Sequence, residues 1–337
     1  MSAHVWGTAA ATGVGSLPGT DVREAVRTVV DTLGQLPHLP ELPARGPGAD
    51  MIGRTAGMLV ELPVHLEPSG WRAADAPGHD MRRARSLLGE DLDALEEFTQ
   101  GYSGALKVSA AGPWTMAASL ERRSGEAMLG DAGACRYLAE SLAEGLREHL
   151  AEVRRRVPGA AVVLQLDEPS LPAVLAGRVP TASGYRTHRA VDRGVAEQAL
   201  RQVLEAAGEG PAVVHCCAPG VPFGLLRRAG AAGISCDLSL LTERDDEAIG
   251  EAVEGGTALF AGVVPATGAG TAGLSDPGGS VMGVRMLWRR LGLSPELLPR
   301  SVVVTPSCGL AGASPVYARA ALAHCVRAAR SLANDPE

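Results

Sequence analysis

Short apolar or β-branched runs alternate along this chain with longer segments whose apolar residues recur at helical spacing. That alternation restricts the fold more than any other feature. Strands separated by helices pair in parallel, because a crossover rather than a tight turn joins them. The candidate strands are 9–14, 36–42, 105–109, 160–166, 212–215, 233–236, 258–264 and 301–305. The candidate helices are 21–33, 91–102, 132–156, 191–207, 221–228, 245–253, 280–291 and 315–332. In the first of these, Val22, Ala25, Val26, Val29 and Val30 share a face. Eight strand candidates in 337 residues predict an α/β fold of the (β/α)8 TIM-barrel type, one domain spanning 1–337. No G-x-G-x-x-G follows the first strand and no G-x-x-x-x-G-K-[ST] occurs, so the nucleotide-binding signals of alternating folds are absent. Residues 43–80, rich in Gly and Pro, predict a long ordered loop or lid. The prolines around 36–42 weaken the second strand.

Charge narrows the partners. The net charge is −7 and aromatic residues make up 3% of the chain. With no basic block, nucleic acid is excluded as a partner, since that needs clustered positive charge and stacking platforms. No run reaches the roughly 20 apolar residues of a membrane span, and no basic-then-apolar leader opens the chain. The expectation is a soluble cytoplasmic protein. Of the 31 basic residues all but Lys107 are arginine, a skew that matches GC-rich coding. Lys107, inside the third candidate strand, reads as a buried or rim partner rather than a catalytic amine.

In a barrel of this type chemistry sits where strands end. Ser16 follows the first strand, Asp167 and Glu168 the fourth, His215, Cys216 and Cys217 the fifth, Cys236 and Asp237 the sixth, and Cys308 the eighth. His215 and Cys217 have the H-x-C spacing that points two side chains of an extended segment the same way. With Cys308 and Asp237 they make a set suited to tetrahedral Zn2+. The same spacing also suits small buried residues of an apolar wall. That second reading fits Cys216 and Cys236, which point away from the rim, and Cys135 and Cys325, which lie in helices. The adjacent carboxylates Asp167 and Glu168 could hold a substrate ammonium, pair with an arginine, or oppose a helix dipole. His38, His65 and His79 fall in loops and are expected to face solvent.

Taken together and in order, six motifs carry a resemblance: TGVGSLP at 12–18, GPWT at 112–115, LDEPSL at 166–171, HCC at 215–217, ISCD at 234–237 and TPSCGL at 305–310. On these the chain resembles the C-terminal catalytic barrel of cobalamin-independent methionine synthase, in the superfamily that also holds uroporphyrinogen decarboxylase. The resemblance implies zinc on His215, Cys217 and Cys308, with Asp237 standing where the long enzymes carry a glutamate. It implies that Ser16 and Asp167 hold the amino and carboxyl groups of homocysteine, with Glu168 beside them. The implied reaction is methyl transfer to the homocysteine thiolate.

Three departures bear on the methyl donor. Thr267 stands where the family has a proton-donating histidine, Ser119 replaces a tryptophan near the folate site, and the N-terminal barrel of the long enzymes has no counterpart. A folate donor needs its leaving nitrogen protonated, whereas a methyl-corrinoid does not, so the donor stays open and the losses favour a corrinoid or an unidentified donor over methyltetrahydrofolate. Two alternatives remain at this level. One is a non-catalytic or differently specific barrel that binds zinc or a thiol. The other is a uroporphyrinogen-type decarboxylase, which needs arginines at its mouth and no metal.

Overall fold

The computed structural model describes residues 4–268 and 270–336. Two short strands, β1 (Val64–Glu67) and β2 (Gly70–Ala73), form an antiparallel hairpin. The main sheet is parallel and contains β3 (Ala105–Ala111), β4 (Ala161–Asp167), β5 (Ala212–Cys216), β6 (Gly233–Asp237), β7 (Ala258–Val264) and β8 (Val302–Pro306), in that order. Sequential neighbours joined by helical crossovers are what the alternating pattern requires. The helices begin where short acidic or hydroxyl side chains take up their free amides. Asp21 accepts from Glu24 N, Asp131 from Ala134 N, Asp192 from Gly194 N and Ser314 from Tyr317 N.

The continuous sheet has six strands rather than the expected eight. Segments 9–14 and 36–42 do not form ladders; each is held by isolated bridges. Ala11 bridges Val304 on β8, with Thr12 N donating to Val304 O at 3.1 Å. His38 bridges Lys107 on β3, with Leu39 N donating to Lys107 O at 2.9 Å. The two segments meet at a Ser16–Glu41 bridge. Prolines 37 and 40 have no N–H to donate, and Gly13 and Gly15 add backbone freedom, so the contacts stop after one or two bonds.

Residues 43–80 are not a long loop. Asp50 accepts from Ile52 N and Gly53 N and starts a helix, Met51–Met58, whose last six residues are all buried. The hairpin follows, and the next helix runs His79–Phe98, starting well before the expected Asp91. His38, expected at the surface, is 1% exposed. Its ring lies so close to Gly13 that a Cβ there would fall 2.3 Å from His38 Cε1.

Alternation along the strands sorts the sheet into two faces. Cys216 and Cys236, register partners on β5 and β6, belong to the large core under the helices. Val163, Val213, Phe260 and Val303 form a separate apolar cluster with Trp6 and Leu36. Two residues further along β3, β4 and β5, on that same face, stand Lys107, Gln165 and His215, all buried. All six cysteines are free. No helix among the described residues is long and apolar enough to cross a membrane.

His149, on the helix Ala132–Arg156, gives the fold a pH sensitivity. Burial first, and then the Arg54 guanidinium, pushes its pKa down to about 3 from 6.5. The unfolded chain therefore takes up a proton that the folded chain refuses. Stability is full above pH 6.5 and declines as pH falls toward 3, by up to about 1.4 kcal/mol per pH unit for one group. Denaturant titrations between pH 7 and 4 should show this slope, and His149→Leu should reduce it.

Candidate metal and substrate site

His215 ends the inward row of β5, and Cys217 lies two residues on. Cys308 arrives from the turn after β8. Their ligand atoms all lie within 4.8 Å of one another. His215 Nδ1 sits 2.8 Å from Ser235 Oγ, on the neighbouring strand. In the tautomer that donates from Nδ1 the Nε2 lone pair is free, and Nε2 is buried with no hydrogen-bond partner. An orphaned buried acceptor is costly, and a metal ion would satisfy it. A partner fixing the far nitrogen is the usual arrangement for a ligating histidine. The Cys217 thiol lies 3.2 Å from the Cys308 sulfur. That hydrogen bond, with His215 beside it, draws the Cys308 thiol down to about 4 against the effect of burial. The same bond, together with burial, pushes Cys217 up. One sulfur of the pair is thus already thiolate-like, which is the form that binds metal.

These residues wall a cavity of about 530 Å³ that also takes in Ser16, Glu41 and Asp167. The start of the helix Met51–Met58 closes its side through Asp50, Met51 and Ile52. Ser16 and the Cys308 turn are clasped together: Leu310 N donates to Ser16 O at 2.8 Å. A Cβ on Gly309 would sit 2.2 Å from Ser16 Oγ, so glycine leaves the Ser16 hydroxyl in its present rotamer. Asp167 is 6% exposed, and its Oδ1 accepts from Gln165 Nε2 at 2.7 Å. Burial raises its pKa against the pull of His215 and Lys107. Glu41 was not singled out from the sequence. It is 5% exposed with Oε1 unpartnered, and burial raises it to about 7 despite the nearby Arg54. Its signal was available: it is the lone carboxylate in the otherwise apolar stretch LPHLPELP.

Asp237 does not join the cluster of His215, Cys217 and Cys308. Its Oδ1 accepts from Ser239 N at 2.9 Å and Ser239 Oγ at 2.7 Å, capping the short turn that follows β6. It lines a neighbouring cavity of about 570 Å³, as do Thr267 and Ser307. A side chain one methylene shorter than glutamate is drawn into this local cap instead of reaching the sulfurs.

Glu168 is fully buried but does not line the cavity. Its Oε1 accepts from Trp114 N, and its Oε2 from Thr115 N and Thr115 Oγ1, each at 2.8 Å. It therefore caps the N-terminus of the helix Pro113–Ser119, a different helix from the one that follows it. Gly112 makes room, since a Cβ there would meet the Glu168 carboxylate at 2.4 Å. Glu168→Ala would strand two buried amides, and we expect a loss of roughly 2–3 kcal/mol in denaturant unfolding, with metal content unchanged.

Residues 8–331 match the family model described as cobalamin-independent synthase, catalytic domain. No curated protein matches the sequence. Among solved structures, a B12-independent methionine synthase from Shewanella sp. W3-18-1, in complex with selenomethionine, superposes with a TM-score of 0.63 at 12% identity. That match covers 97% of this chain and 98% of that one, and shows a shared fold. β-Methylaspartase from Clostridium tetanomorphum gives a TM-score of 0.43 at 10% identity, covering 96% of this chain and 59% of that one. The carboxyl transferase domain of Rhizobium etli pyruvate carboxylase gives 0.26 at 15% identity over 70% and 44%. Neither of these two carries an argument. The family match runs over nearly the whole chain, and the protein belongs to the cobalamin-independent methionine synthase family, a family of methyltransferases.

Proposed function

We propose that this chain, working as one catalytic unit, transfers a methyl group to the sulfur of homocysteine with zinc held by His215, Cys217 and Cys308. The observation that carries this is the convergence of those three groups with Ser16 and Asp167 on one cavity. Segments 9–14 and 36–42 flank it, with single bridges to β8 and β3. Asp167 and Glu41 present carboxylate oxygens to an ammonium group. Ser16 offers its hydroxyl to a carboxylate, fixing an amino acid by its two charged ends. The acceptor's side-chain sulfur then lies toward His215, Cys217 and Cys308. When bound, zinc stabilises the acceptor thiol as a thiolate at neutral pH. His215, Cys217 and Cys308 would hold that ion.

The neighbouring cavity, lined by Ser307 next in sequence to Cys308, is the place this reading gives the methyl donor. Thr267 on its wall cannot protonate a leaving nitrogen near pH 7. A methyl-corrinoid, whose departing cobalt needs no proton, therefore suits this chain better than the methyltetrahydrofolate expected of its family. A decarboxylase of the uroporphyrinogen type fits poorly: among the described residues no arginine lines the metal-side cavity, and its carboxylates would repel propionates.

Zinc-loaded protein given homocysteine should form methionine, with methylcobalamin outperforming methyltetrahydrofolate in parallel assays. Methionine from neither donor would overturn the reading. Cys308→Ser should lower zinc content severalfold with the fold intact, whereas Cys216→Ala should leave it unchanged. Asp167→Asn should raise the homocysteine KM about tenfold or more while zinc stays bound, and an unchanged KM would remove Asp167 from the substrate end.

A further inference from the structure

Lys107 is the one lysine in a chain with thirty arginines, and it is fully buried. Its Nζ donates to Val14 O at 2.8 Å and to Gln165 Oε1 at 2.6 Å. An ammonium can only donate, so Gln165 must turn its carbonyl toward Lys107. That leaves Gln165 Nε2 to donate to Asp167 Oδ1 at 2.7 Å and to Val14 O at 2.9 Å. The Lys107 main chain is tied to segment 36–42. Lys107 N donates to Pro37 O and Lys107 O accepts from Leu39 N, both at 2.9 Å. That segment continues to Glu41, which pairs with Gly15 and Leu17.

From this geometry we infer that Lys107 is the positioning residue that assembles the end of the pocket that takes the acceptor's amino and carboxylate groups. Its side chain sets Ser16 through Val14 and Asp167 through Gln165, and its main chain sets Glu41. The inference rests on the proposed amino-acid acceptor. None of the Lys107 hydrogen bonds reaches His215, Cys217 or Cys308, so its role is separable from metal binding. Its positive charge acts on both Asp167 and Glu41, Arg54 acts on Glu41 as well, and the acceptor's ammonium adds a further cation between the two carboxylates. Two buried carboxylates sharing a cavity do not both stay ionised without such cations. An arginine here would be a larger planar fork in a space filled by an ammonium. The position is the one place in the chain where lysine, not arginine, supplies the cation.

The test is a binding measurement. L-methionine and 4-(methylthio)butanoate, which lacks the amino group, are titrated calorimetrically into wild-type protein, Lys107→Met, Lys107→Arg and Gln165→Leu. Wild type should bind methionine at least about tenfold more tightly than the analogue. Lys107→Met and Lys107→Arg should each weaken methionine by about tenfold or more while shrinking the discrimination against the analogue. Zinc content should stay near wild type, while the melting temperature falls for Lys107→Arg, which overfills the buried space, and for Lys107→Met, which strands Gln165 Oε1, so every variant is titrated below its melting transition. Gln165→Leu keeps the lysine, breaks the link to Asp167, and should move in the same direction. A lysine that only fills space would be replaced by Met with no change in this discrimination. If the variants bind methionine as wild type does, the inference is overturned while the acceptor assignment stands. If wild-type protein fails to bind methionine, the acceptor assignment falls and the inference with it.

Discussion

Each strand of a parallel sheet can send side chains only two ways, and on the inner face of this one polarity changes with height. Low on the strands the inward residues are apolar: Val163, Val213, Phe260 and Val303 pack with Trp6 and Leu36. One step of the pleat higher stand Lys107, Gln165 and His215, all buried. Another step brings Asp167 and the turn residues that reach the cavity. The apolar floor excludes water beneath the polar layer, so every polar group above it must find a partner in the protein or in a ligand. Most do. Ser109 Oγ, Thr305 Oγ1, the His38 ring nitrogens, His215 Nε2 and Glu41 Oε1 do not, and the last two belong to residues that wall the same cavity.

Three buried carboxylates show how neighbours assign roles to one chemical group. Glu168 is consumed by the fold, because its oxygens accept two helix amides and a hydroxyl. Asp167 is half committed: one oxygen accepts from Gln165, and the residue still faces the cavity. Glu41 is uncommitted at Oε1, and burial holds it near neutrality at about 7. Adjacent residues such as Asp167 and Glu168 diverge because successive strand positions point to opposite faces.

The same logic separates the cysteines. Cys216 and Cys217 are neighbours in sequence, yet one is sealed under the helices and the other faces Cys308 at 3.2 Å. The pairing brings together residues 91 positions apart. It depends on β5 and β8 belonging to one curved sheet, and on Gly309 allowing the turn after β8 to rest against Ser16.

The amino-acid sequence by itself determined the alternating α/β plan, the boundaries of β7 and of the helix Ala132–Arg156, the family, and the H-x-C pair with its later cysteine. These are properties of local pattern and of residue type, which a one-dimensional string carries. The helix and hairpin hidden in residues 43–80 escaped it because Gly and Pro there serve turns between short elements, not a loop. So did the burial of His38, which single bridges hold against β3 without a strand pattern. Tertiary structure alone decided that Glu168 caps a helix begun more than fifty residues earlier, that Asp237 folds back on Ser239, and that Glu41 turns into the cavity. Those outcomes depend on distances between segments remote in sequence, and packing sets such distances, not the identity of any one residue.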